Sequence, residues 1–246
     1  MPRGSKTKTT QSKLAAGAHK FLTAEFAKLA DADKAVEMAA YMKTEMPFWG
    51  IQKPDREPLY RQLAKEFAPT NYDDYSQVIL ALWHGKHREE KYAALDYAIR
   101  CKKYIDTSMI PLYEELVRDG AWWDLVDPLA TLLIGVAFLN DQKTVKPMMK
   151  EWIDDDDMWI RRTAILSMNK HKEKTDEKLL YDFCLRRAHE KEFFIRKAIG
   201  WALREYSYKA PDSVIKFLRT NRSKLSPLSY REGAKQLVRN GLMKLD

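Results

Sequence analysis

The stretch GAWWDLVDPLA, Gly120 to Ala130, sets two adjacent indoles among aspartates in a chain whose formal net charge is +8. If the stretch is helical, Trp123 and Asp127 lie four residues apart on one face and can act on one object. An anion beside an electron-rich ring suits a reaction that builds positive charge, because both stabilise a developing cation. A plainer reading competes: Asp127 before Pro128 has the form of an N-cap followed by proline at N1, and either indole could fill a core. The stretch GWALRE, Gly200 to Glu205, adds Trp201 and Arg204, three apart and again on one helical face. Two tryptophan sites, one with an acid and one with an arginine, need a common explanation.

Other chemistries find little support. His84 and His87 stand three apart in WHGKH, with neither a nearby cysteine nor a clear carboxylate partner to complete a metal site. The phosphate-binding glycine motifs and the G-x-S-x-G elbow are absent, which leaves nucleotide-dependent and serine-hydrolase chemistry without a foothold. The run Asp154 to Asp157 lacks the spacing of a calcium loop and reads as the capping start of the helix that follows. No metal and no cofactor are expected. Cys101 and Cys184 are isolated and read as reduced, buried thiols rather than a disulfide framework.

The elements that must hold these residues are helices. Apolar residues recur at helical spacing from about residue 13 onward, strand-like alternation is almost absent, and prolines and glycines fall at short intervals, Pro147 among them. Laying MWIRRTAILSM (Met158 to Met168) on FFIRKAIGWAL (Phe193 to Leu203) reveals a repeat at an offset of 35 residues, a period suited to stacked helix pairs. The predicted architecture is an all-α solenoid of HEAT-like antiparallel helix pairs. Its concave groove would carry a basic ladder of Arg161, Arg162, Arg196 and Lys197, each of which could equally tie neighbouring repeats. Residues 1–12 read as a disordered basic tail and 13–246 as a single domain. The 43 Lys+Arg against 35 Asp+Glu favour a polyanionic partner. No secretory h-region and no uninterrupted apolar run of membrane length occur, so a cytoplasmic, nucleoid-associated protein without a membrane anchor is expected.

Six segments, in order along the chain, carry a resemblance: PFWGIQKPDR (Pro47 to Arg56), YAALDY (Tyr92 to Tyr97), WWDLVD (Trp122 to Asp127), WIRRTAIL (Trp159 to Leu166), EFFIRKAIGWALREYS (Glu192 to Ser207) and LSPLSYREGAKQ (Leu225 to Gln236). Together they resemble the AlkD-type DNA alkylation repair enzymes, alkylpurine DNA glycosylases built from HEAT-like repeats. The resemblance implies excision of cationic N3- and N7-alkylated purines, such as 3-methyladenine and 7-methylguanine, from double-stranded DNA by a monomeric enzyme. It implies Asp127 as the catalytic carboxylate, Trp123 and Trp201 as its aromatic companions, and Arg162 and Arg204 as DNA-contacting arginines; the repeat alone adds Arg161 as a further DNA-binding candidate. The chain departs from the pattern in a longer basic N-terminal tail and in Trp49 of the PFWGI loop.

Two other functions fit parts of the sequence. A basic helical-repeat module that grips bent or damaged DNA without cutting a bond explains the charge, but not a carboxylate on a phosphate-binding face. A protein-interaction scaffold suits α-solenoids generally and leaves the tryptophans and arginines unexplained.

Overall fold

The computed structural model describes residues 12–244, which are all-α with no strand. Of the expected tail, residues 1–11 lie outside the described residues. Ser12 instead caps the first helix, its hydroxyl accepting from the Ala15 N–H at 3.1 Å. The chain divides after Tyr104 into two compact units.

The first unit contains α1 (Lys13–Leu29), α2 (Ala32–Met42), α3 (Lys53–Glu66), α4 (Tyr72–Trp83) and α5 (Arg88–Arg100). Asp31 and Asn71 start α2 and α4 by accepting the N–H groups of Lys34 and Asp74, which satisfies donors a helix start otherwise leaves bare. The PFWGI loop is anchored from below by Glu89, fully buried, which accepts from the backbone N–H groups of Trp49, Gly50 and Ile51 at 3.0, 3.0 and 3.1 Å. Gly50 has φ +81°, and a Cβ there would lie 1.9 Å from the Asp31 carbonyl oxygen, so only glycine fits. Of the histidine pair of WHGKH, His87 stacks on Trp49 with ring centres 4.1 Å apart and shares the Glu90 carboxylate with His19. Trp49, the departure noted in the sequence, is thus part of this unit's framework.

The second unit begins with α6 (Ile110–Gly120) and continues with α7 (Trp123–Pro128), which runs without a break through the π-turn Leu129–Ile134 into α8 (Gly135–Asn140). Then come α9 (Gln142–Trp152), α10 (Met158–Leu166), α11 (Glu177–Arg186), α12 (Phe193–Ser207), α13 (Pro211–Thr220) and α14 (Pro227–Arg239). Helix α10 packs on α6, α9 and α12, and α12 on α13 and α14, so successive pairs stack in solenoid-like fashion. Asp157 caps α10 by accepting the Trp159 N–H at 2.8 Å, the role expected for the aspartate run. Its neighbours hold arginines: Asp155 binds Arg118, and Asp154 binds Arg186 and Arg187.

One local expectation, that Pro147 stops a helix, is corrected, and one competing reading falls. Pro147 lies inside α9 instead of ending a helix; burial of Val145, Met149 and Trp152 on one face outweighs the single backbone bond that proline forfeits. Asp127 is not an N-cap, because α7 has already begun at Trp123. The helical run Trp123–Asn140 is long and apolar enough to cross a bilayer by length and composition, yet 56% of it is buried inside the protein, as in a core helix.

Candidate active site

Pro128 lacks an N–H and its ring crowds the preceding turn, so the helix after Asp127 widens into the π-turn Leu129–Ile134. Thr131, one turn on, donates its hydroxyl to the Asp127 carbonyl at 2.8 Å. Trp123 and Asp127, one turn apart, line a single cleft of about 280 Å³. Helix α10 adds Arg162 to the cleft, α12 adds Lys197, Trp201 and Arg204, and α14 adds Glu232. Phe193 and Phe194 at the start of α12 complete its wall, Phe193 being 55% exposed.

The carboxylate is held by a two-pronged clamp. Arg162 Nε donates to Asp127 Oδ1 at 2.8 Å and Nη2 to Oδ2 at 2.9 Å, while Nη1 donates to the Phe194 carbonyl at 2.5 Å. The Arg162 side chain is 5% exposed and that of Asp127 16%, so the pair lies in a low-dielectric setting where one partner without the other is costly. Burial pushes the Asp127 carboxyl above the usual aspartate range, and the Arg162 hydrogen bond opposes that rise. The second charged group is arranged differently: Glu232 accepts from Lys197 at 2.8 Å and from Arg204 at 2.5 Å. Those hydrogen bonds, Lys197's foremost, hold the Glu232 carboxyl below its ordinary value.

A family model described as "DNA alkylation repair enzyme" matches residues 22–237. The chain belongs to that family. Among solved structures, a "Predicted DNA alkylation repair enzyme from Enterococcus faecalis" is similar at 32% sequence identity with a TM-score of 0.77, over 85% of this chain and 96% of that one. A comparison with functionally curated proteins finds no match.

Within this DNA alkylation repair enzyme, five of the six residues singled out in the sequence converge on the cleft: Trp123, Asp127, Arg162, Trp201 and Arg204. Arg161 does not line it. Its guanidinium is taken up by Glu190 at 3.0 Å and by the Asp155 and Asp156 carbonyls at 2.7 and 2.8 Å, and Arg196, its repeat equivalent, likewise donates to the Glu190 carbonyl. Of the predicted basic ladder, then, Arg162 and Lys197 face the cleft while Arg161 and Arg196 tie the segment around Glu190. The two adjacent indoles also part ways. Trp122 joins Trp159 and Phe194 in an aromatic cluster with ring centres 4.9–6.0 Å apart, and Trp123 turns into the cleft.

The 35-residue period holds a signal that the paired stretches alone do not disclose. Asp127 and Arg162 are 35 apart, as are Lys197 and Glu232, and Arg162 and Lys197 are the equivalents already aligned. One charged residue per repeat, from α7, α10, α12 and α14, therefore occupies the same helical position and enters the same cleft. Glu232 could have been found by carrying the register one step past α12. Gly200 explains how it reaches its partners: a Cβ at Gly200 would lie 2.4 Å from that of Glu232 and 3.1 Å from the Ser229 carbonyl oxygen. The missing side chain lets α14 settle against α12 between Lys197 and Arg204.

Proposed function

We propose that this family member is a monofunctional DNA glycosylase that hydrolyses the N-glycosidic bond of cationic N3- and N7-alkylated purines in duplex DNA. The observation that carries the reading is the Asp127 carboxylate, clamped on both oxygens by Arg162 in a cleft walled by Trp123 and Trp201. Breaking the glycosidic bond builds positive charge on the deoxyribose, and a fixed carboxylate stabilises that charge and orients the attacking water. Indole faces favour the same cation and exclude bulk solvent. An alkylated purine already bears the positive charge that a general acid would otherwise supply, so it departs as a neutral base and one carboxylate suffices where ordinary glycosidases use two.

The reading fixes the order of substrates. In single-turnover assays of duplexes carrying 7-methylguanine, hypoxanthine or 1,N6-ethenoadenine at one position, 7-methylguanine should be released fastest. The uncharged bases should lag by roughly 100- to 10,000-fold, the usual contribution of a general acid. Equal rates across the series would mean a proton donor at the site and a different mechanism. No release of 7-methylguanine, with duplex binding intact, would leave a DNA-gripping protein that performs no bond cleavage.

The two indoles should separate under substitution. Trp122→Ala removes one member of the Trp122–Trp159–Phe194 cluster; because Trp122 is half-buried, the expected cost is about 2–3 kcal/mol, below the roughly 3–5 kcal/mol of a fully buried large ring. Trp123→Ala should leave Tm nearly unchanged and slow base release. Thermal melts beside single-turnover rates check the split, and a slow but fully stable Trp122→Ala enzyme would reverse the assignment.

A further inference from the structure

The cleft holds three cations, and they are not equally available. Arg162 is almost wholly buried, and its guanidinium is committed to Asp127 and to the Phe194 carbonyl. Lys197 and Arg204 are 37% and 26% exposed, and they share one carboxylate, Glu232, itself 18% exposed. These pairs are far more open to solvent than Arg162 with Asp127, and the less buried a pair is, the less it costs to exchange one anion for another. Their geometry is nonetheless built in: Lys197, Gly200 and Arg204 follow one another along a single face of α12, and the bare Gly200 admits the Glu232 backbone between the two cations. The Glu232 Cβ is seated against Gly200, and the rotatable bonds beyond it let the carboxylate leave without movement of α14.

We propose that Glu232 is a displaceable internal counter-anion, occupying in the DNA-free protein the place between Lys197 and Arg204 that a phosphate of the bound strand takes in the complex. A carboxylate oxygen pair bridging an ammonium and a guanidinium makes the contacts that two phosphate oxygens would make. The duplex must displace it, so Glu232 tempers affinity for all DNA and keeps the cation pair ordered and neutralised between encounters. This rests on reading the cleft as a duplex-binding site, and not on any step of base excision.

The test is binding of an undamaged duplex by fluorescence anisotropy across a salt series, with folding checked by circular dichroism. Glu232→Gln should lower Kd by about five- to tenfold near 100 mM salt and steepen the log Kd against log salt slope by up to about one, because the displaced carboxylate of the wild type takes up a salt cation that offsets one released from the DNA. In a Lys197→Gln/Arg204→Gln background the same substitution should bring no gain. Should Glu232→Gln fail to fold, Glu232→Asp, too short to bridge both cations, is expected to give a smaller gain of the same sign. Weaker or unchanged binding would overturn the proposal and make Glu232 a tie that positions the cations, as would a gain that persists without Lys197 and Arg204. Failure of the wild type to bind duplex at low salt would instead overturn the reading of the cleft, and base release by the wild type tests the glycosylase reading separately.

Discussion

Asp127→Asn is expected to fold, to bind methylated duplex at least as tightly as the wild type, and to release base slower by at least about 100-fold, the usual loss when a preorganised charge-stabilising group is removed. The side chain changes charge but hardly shape, so the cleft between Trp123 and Trp201 stays open. Its amide oxygen can still accept one of the two Arg162 hydrogen bonds, while the buried guanidinium loses its counter-charge, so Tm should fall somewhat; the negative charge that repels the strand is gone. Binding and catalysis should therefore move in opposite directions. Anisotropy and single-turnover release on one protein preparation measure both, with Tm as the control for folding. Parallel loss of binding and cleavage by the folded protein would mark Asp127 as a structural residue.

Arg162→Gln carries the second large effect. It removes the partner of a mostly buried carboxylate, and loss of one member of such a pair costs about 3 kcal/mol, visible as a lower Tm. It should also move the pH dependence of release. Asp127 acts as an anion, so the rate falls as pH drops through its pKa. Burial already raises that pKa, and the Arg162 hydrogen bond is the main force holding it down. Without Arg162 the pKa climbs further, and the acid limb of the profile should shift to higher pH. Single-turnover rates from mildly acidic to mildly alkaline pH check the direction. An unmoved limb with DNA binding uniformly weakened would make Arg162 a phosphate clamp whose contact with Asp127 is incidental.

Much of the site could be read from local spacing. Trp123 with Asp127, and Trp201 with Arg204, were placed on shared faces by helical geometry alone, and both pairs line the cleft. The capping role of the aspartate run likewise follows from short-range backbone chemistry and is realised by Asp157. What spacing could not supply is which side chain spends its hydrogen bonds within the protein. Arg161 and Arg162 are adjacent and chemically identical, yet one closes on Glu190 and the other on Asp127; the choice depends on which neighbouring helix each meets. Pro128 was ambiguous for a related reason. A proline may open a helix or widen one already formed, and the packing around the π-turn decides between these outcomes. Glu232 was obscured because α14 keeps the period but not the flanking pattern, with Tyr230 where α12 has Ile195.

The spacing of the charged rungs also bears on how the chain is made. Asp127 leaves the ribosome 35 residues ahead of Arg162, and Lys197 the same distance ahead of Glu232. Until Arg162 emerges, Asp127 favours a hydrated chain over a closed core, since burying a lone ion is expensive. Helix α7 is thus held back from final docking until α10 is synthesised, and the inner end of α12 remains a bare cationic surface until α14 follows. A nascent chain halted between those two helices would display Lys197 and Arg204 without their carboxylate, and would be stickier toward nucleic acid than the finished protein.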